Sequence, residues 1–152
     1  MANPDFAGRE YPAGAPYSVG REKLREFACA VGALDPAHHD LVAARGLGYP
    51  DLVAPPTFAV VVAQRAESQY VQDPDADIDF SRVVHADEKF VHHRPIVAGD
   101  ELVTVLHVDS VTQRAGIAMV TTRCEIFAQA DDGTREPVST VSSSLVIRGE
   151  DS

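Results

Sequence analysis

The feature that most restricts this chain is a two-residue alternation in its last third. Ala118, Val120, Thr122, Cys124, Ile126 and Ala128 fall on one side of an extended segment, with Met119, Thr121, Arg123, Glu125, Phe127 and Gln129 on the other. Successive side chains of a strand point to opposite faces, so the segment offers one face to a core and one to water. Asp132-Gly133 follows, a dipeptide suited to the positive φ angles of a tight hairpin. Val141, Ser143, Leu145 and Ile147 then repeat the alternation. Two long antiparallel strands are therefore predicted side by side. Val97-Ala98-Gly99-Asp100 reads as a turn entering another strand, from Glu101 to Val111.

Upstream the period changes. Leu24, Phe27, Ala28 and Val31 recur at helical spacing, with Arg21, Glu22, Lys23, Arg25 and Glu26 on the opposite side, which predicts an amphipathic helix ending at Gly32. A polar turn from Asp35 to Asp40 leads to a short helical stretch reaching about Arg45, then a loop from Gly46 to Pro50. The run Phe58-Ala59-Val60-Val61-Val62-Ala63 is locally strand-like. Pro55-Pro56-Thr57 before it suits a helix start, and Gln64 to Gln69 after it extends the unit. The segment from about Thr57 to Tyr70 is read as a helix whose first half is buried on all sides. Helices first and strands afterwards predict an α+β domain with a mainly antiparallel sheet.

At 152 residues there is room for one such domain. Residues 1–16, with Pro4, Gly8, Pro12, Gly14 and Pro16, read as an extended N-terminal arm; 17–148 form the domain and 149–152 a tail. The formal net charge of −10 argues against a partner that needs a cationic face, so neither nucleic acid nor an anionic membrane is expected. No basic segment followed by an apolar stretch marks a secretory signal, and a cytoplasmic location is expected. Two cysteines, Cys29 and Cys124, make no disulfide framework or zinc cluster. A metal reading would join His38, His39, Asp35 and Asp40 to His92 or His93. Adjacent histidines on an extended segment face opposite ways, so no metal and no cofactor is expected.

One constellation suggests chemistry. Gly32-Ala33-Leu34-Asp35-Pro36-Ala37-His38, Gly48-Tyr49 and Val53-Ala54-Pro55-Pro56-Thr57-Phe58 put a polar loop and a histidine before the start of a buried helix. Helix N-termini carry unpaired amides that can polarise a carbonyl, and histidine exchanges protons near neutral pH. Taken alone, the same residues also suit an ordinary helical turn with an exposed His38.

Gly32 to Phe58 resembles the signature of the MaoC-like (R)-specific enoyl-thioester hydratases and dehydratases, G-D-x-N-P-[LIV]-H, then an aromatic turn and an Ile-x-His-Gly helix start. The stretch Val84-His85-Ala86-Asp87-Glu88-Lys89-Phe90 and Arg94-Pro95-Ile96-Val97-Ala98-Gly99-Asp100-Glu101-Leu102 is similar to that family's H-x-[DE]-[QEK]-x-F and R-P-I-x-x-G-D-x-L. The likeness runs from about residue 6 to 148 and is strongest to an actinobacterial, N-terminal-dehydratase-like branch. It implies a hot-dog fold, a long central helix wrapped by an antiparallel sheet, paired into a double hot dog.

The resemblance also implies a site, from which this sequence departs. The family holds a water between a carboxylate and a histidine five residues apart; His38 matches the histidine, but Ala33 stands at the carboxylate position, directly after Gly32. Asp35 takes the asparagine position and is a surrogate acid, with Asp40 and Glu88 as other stand-ins. Ala33 is expected close enough to His38 to share a water, so that Ala33→Asp would rebuild part of the pair. The family's thioester oxygen is bound by the amide of the helix-start glycine, which here becomes Pro55 or Pro56, without an N–H. Tyr49, Pro56, Thr57, Phe58 and Arg94 are the expected substrate-binding residues, with Arg94 and Arg65 for any CoA or phosphopantetheine phosphate. Three readings follow. One is a catalytically incomplete acyl-thioester-binding subunit of a (3R)-hydroxyacyl-ACP or -CoA dehydratase, acting with a MaoC-like catalytic subunit. The others are a self-sufficient hydratase or dehydratase, and a non-enzymatic thioester-binding homodimer.

Overall fold

The computed structural model describes residues 1–149. Its helices are α1 (Arg21–Val31), α2 (Leu41–Gly46) and α3 (Ala59–Val71); its strands are β1 (Glu10–Tyr11), β2 (Tyr17–Ser18), β3 (Val83–His92), β4 (Glu101–Arg114), β5 (Ile117–Gln129) and β6 (Arg135–Arg148). The strands form one sheet in the order β1-β4-β5-β6-β3, with β2 also paired to β4, and every pairing is antiparallel. This is the hot-dog arrangement, with α3 as the wrapped helix.

The turns explain the strand lengths. Asp132 Oδ1 accepts the Thr134 amide at 2.9 Å, and Gly133 takes φ 86°, closing β5 onto β6. β4 runs three residues past the expected Val111 because Ala115 (φ 52°) and Gly116 (φ 76°) make a two-residue hairpin with Arg114 opposite Ile117. Register shifts at His85/Asp87, Val108/Ser110 and Ile126/Phe127 bend the sheet around the helix. Leu102, Leu106, Val120, Ile126, Val141 and Leu145 thereby pack on Phe58, Val62, Ala66 and Tyr70, all essentially excluded from solvent.

α3 departs from its expected surroundings. A sheet encloses only one side of a helix, so Val60 and Val61 are half-buried and one flank faces out of the chain. The helix begins at Ala59 after a turn over Pro55–Phe58, closed by Phe58 N–H to the Pro55 carbonyl at 2.9 Å. The first 16 residues are also more integrated than their composition suggests. Ala2 and Phe6 are buried, Gly8 N–H reaches the Val108 carbonyl at 2.7 Å, and β1 covers an edge of β4. Tyr11 Oη donates to Asp73 at 2.8 Å, tying this segment to the end of α3. Residues 150–152 of the expected tail lie outside the described residues. No helix among the described residues is long and apolar enough to cross a membrane.

Candidate functional site

Local backbone chemistry positions His38. Gly32, at φ 72°, ends α1 with its own N–H on the Cys29 carbonyl and the Ala33 N–H on Ala28, so the chain reverses sharply. Asp35 then caps a 3-10 turn, Pro36–His38, by accepting the Ala37 amide at 2.9 Å. Val53 is bound from both sides, its amide on the Ala37 carbonyl at 3.2 Å and its backbone bridged to Val97. His38 Nδ1 lies 2.7 Å from the Val53 carbonyl oxygen. A carbonyl can only accept, so Nδ1 carries the hydrogen, which in the neutral ring leaves the lone pair on Nε2. The half-buried imidazole is thus fixed in one tautomer, as a base must be.

Nearby lies a cavity of about 480 Å³, lined by Asp35, Ala37, His38, Leu47, Tyr49, Val53, Ala54, Pro55, Pro56 and residues 92–96. That volume suits a small organic ligand. Of the expected residues, His38, Asp35, Tyr49, Pro56 and Arg94 line it; Thr57 and Phe58 do not. Phe58 is fully buried, its ring edge-on to Phe27 at 5.4 Å, because the turn over Pro55–Phe58 rotates it into the core. Thr57 is exposed. Ala33 is not among the lining residues either; its carbonyl accepts from His39 Nε2 at 2.8 Å.

The two acids flanking His38 in sequence each cap a turn. Asp35 caps its own turn, and Asp40 caps α2 through Val42 and Ala43 amides at 3.4 and 3.3 Å. Glu88 is not on the cavity wall; its carboxylate accepts from Ser143 Oγ at 2.7 Å. Arg94 lines the cavity with all three nitrogens engaged. Its terminal nitrogens bind both Asp100 oxygens at 2.9 and 3.0 Å, and Nε is 3.2 Å from Glu136. Asp100 raises the Arg94 pKa further above its ordinary value. Arg65 stands over the Tyr17 ring at 5.1 Å. Sequence reasoning missed His92 and His93 as cavity residues. His92 Nδ1 lies 3.0 Å from Ser139 Oγ, and the ring stacks near Phe90. Their place immediately before Arg94-Pro95 was the available signal.

The comparisons with known proteins agree with this architecture. The model of a family described as the FAS1-like dehydratase domain region matches residues 5–136. A UPF0336 protein from Saccharopolyspora erythraea is 51% identical over 144 residues, 95% of this chain and 90% of that one. A C-terminally truncated HadBC (3R-hydroxyacyl-ACP dehydratase) complex from Mycobacterium tuberculosis contains a chain 34% identical, with a TM-score of 0.82, covering 96% of this chain and 99% of that one. A MaoC-like dehydratase, 35% identical with a TM-score of 0.79, aligns with 95% of this chain, which spans 42% of that longer protein.

Proposed function

Because this chain belongs to the FAS1-like dehydratase domain region family, we propose that it is an acyl-thioester-binding subunit of a (3R)-hydroxyacyl-ACP or -CoA dehydratase, catalytically incomplete by itself. The observation that carries this reading is the setting of His38: a base hydrogen-bonded to the Val53 carbonyl on the cavity wall, with Asp35 and Asp40 each capping its own turn. Elimination of water from a 3-hydroxyacyl thioester needs a base for the proton on C2, an acid for the departing hydroxyl and donors for the thioester oxygen. His38 can move one proton. Pro55 and Pro56 give no amide at the helix start, and the Phe58 amide is closed onto Pro55. Losing one oxyanion donor costs about 10²–10³ in turnover, and losing an acid–base partner about 10²–10⁴.

In this reading the chain supplies the cavity and a pairing surface to a homologous MaoC-like subunit that carries the complete acid–base pair. β3 is an edge strand of the sheet, and such edges are seldom left free. The half-buried Val60 and Val61 fit the same contact. A self-sufficient enzyme is the second reading, favoured by Asp35 on the cavity wall beside His38.

The test is a dehydratase assay on 3-hydroxyacyl thioesters with the purified chain, alone and co-expressed with a MaoC-like subunit. Turnover is expected only from the pair, with His38→Ala in this chain leaving kcat within a factor of about 3. Efficient turnover by the isolated chain, abolished by His38→Ala, establishes the self-sufficient reading instead.

A further inference from the structure

A second group of titratable side chains lies apart from the His38 cavity. Glu67, on α3, is only 5% exposed, yet it is a carboxylate inside an apolar core. Its Oε1 is 3.0 Å from His85 Nε2, and its Oε2 accepts from Thr122 Oγ1 at 2.8 Å. His85 comes from β3, immediately before the irregularity between His85 and Asp87. That extra residue brings Glu88 round to the face of His85, with Oε1 3.8 Å from the same Nε2. Glu88 Oε1 is buried without a hydrogen-bond partner among the described residues, while Oε2 accepts from Ser143. Burial, with the charge of Glu67 adding to it and the Ser143 hydrogen bond opposing, raises the Glu88 carboxyl above its ordinary range.

This cluster opens onto space. Glu67 and His85 are both on the wall of a groove of about 550 Å³ that shares no lining residue with the His38 cavity. The geometry points to a second ligand site, in which Glu67 orients His85 toward a small, neutral, hydroxyl-bearing ligand held in this groove. A carboxylate only accepts, so Nε2 of the neutral ring carries the hydrogen and Nδ1 presents a lone pair. No partner of Nδ1 is found among the described residues, and the side chain is 35% exposed. The hydroxyl of the ligand can donate a hydrogen bond to Nδ1, while Glu67, bonded to the other ring nitrogen, holds the imidazole in the orientation that receives it. Glu88 backs the ring from the other side, its Oε1 3.8 Å from the same Nε2.

The wall chemistry selects the ligand class. Gln64, Ser68 and Gln72 are neutral polar groups, Val71 and Phe80 are apolar, and no lysine or arginine lines the groove. An anion would meet Glu67 with no cation to offset it. An ammonium would find both Glu67 oxygens already engaged by His85 and Thr122. A neutral alcohol with a short apolar part avoids both costs.

Hexane-1,2-diol is the probe, followed by NMR of histidine-labelled full-length protein, with hexanoate and hexylammonium as charged controls. The His85 ring signals should shift saturably with the diol alone, and those of His38 should stay in place. Glu67→Gln should weaken the diol about tenfold, the effect of losing a charge-assisted hydrogen bond behind the ring. His85→Gln should abolish the response while the protein still melts cooperatively. Three results overturn the site: no saturable shift of His85 in wild-type protein, equal binding of hexanoate, or a response confined to His38. A purely structural Glu67–His85 pair gives the first of these, with lowered melting temperatures in both variants. The dehydratase assay reads the His38 cavity, which shares no lining residue with this groove, so the two tests are scored separately.

Discussion

Arg94→Ala separates two roles for the same residue. If Arg94 is a ligand for substrate phosphate, its loss weakens binding and leaves the fold intact. The structure instead makes it one half of a clasp: both Asp100 oxygens accept from it, and Asp100 also accepts the Val97 amide at 2.9 Å. The clasp holds the segment from Arg94 to Asp100, whose Val97 bridges Val53, whose carbonyl in turn fixes His38. Removing one partner of a fully buried pair costs about 3–5 kcal/mol. The side chains here are 26% and 12% exposed, so water recovers part of that and about 2 kcal/mol is expected. For a chain of this size that corresponds to roughly 4–8 °C in Tm, measured by calorimetry or circular dichroism at neutral pH. Asp100→Ala should cost a similar amount, and the double variant less than the sum, with a coupling of about 1–2 kcal/mol. Arg94→Lys should recover only part, because an ammonium cannot bind both oxygens in the same fork. An Arg94→Ala protein melting within about 1 °C of wild type, well below the expected shift, refutes the clasp.

Val62, 2% exposed at the centre of α3, should tolerate no charge: Val62→Asp leaves an unpaired carboxylate in the core at a cost of several kcal/mol, seen as loss of soluble expression. The raised carboxyl of Glu88 is favoured in its protonated form by the fold. Its contribution is therefore complete below the ordinary value of 4.5 and lost as pH rises through the higher folded value. Glu88→Gln should accordingly raise Tm at neutral pH and leave it unchanged in acid, which melting curves across pH will check. Ala115, left-handed at φ 52° in the hairpin between β4 and β5, should be improved by glycine. Ala115→Gly is expected to gain about 0.5–1 kcal/mol, because relief of the left-handed strain exceeds the extra chain entropy glycine loses. An unchanged or lower denaturation midpoint contradicts that account.

The sequence by itself determined the parts of this protein governed by neighbours in the chain. The alternation from Ala118 to Ala128 and from Val141 to Ile147 fixed which faces are buried, since a one-residue slip would turn each strand's apolar set to water. Gly32 ended α1 and Asp132-Gly133 closed a hairpin because positive φ is a local demand met by particular residues. His38 was legible as a candidate through its spacing from Gly32 and the two prolines. Tertiary structure decided what those local pieces meet. The N-terminal segment carries no strand pattern and is ordered by the open edge of β4, about 100 residues away in the chain. Arg94 looks available in sequence and is taken by Asp100 and Glu136; Phe58 looks like a site residue and is turned into the core. Glu67 reads as an ordinary polar residue on a helix, but the sheet closes over it and supplies Thr122 and His85. Hydrogen-bonding capacity belongs to each side chain; the partner that uses it is chosen only when distant segments come together.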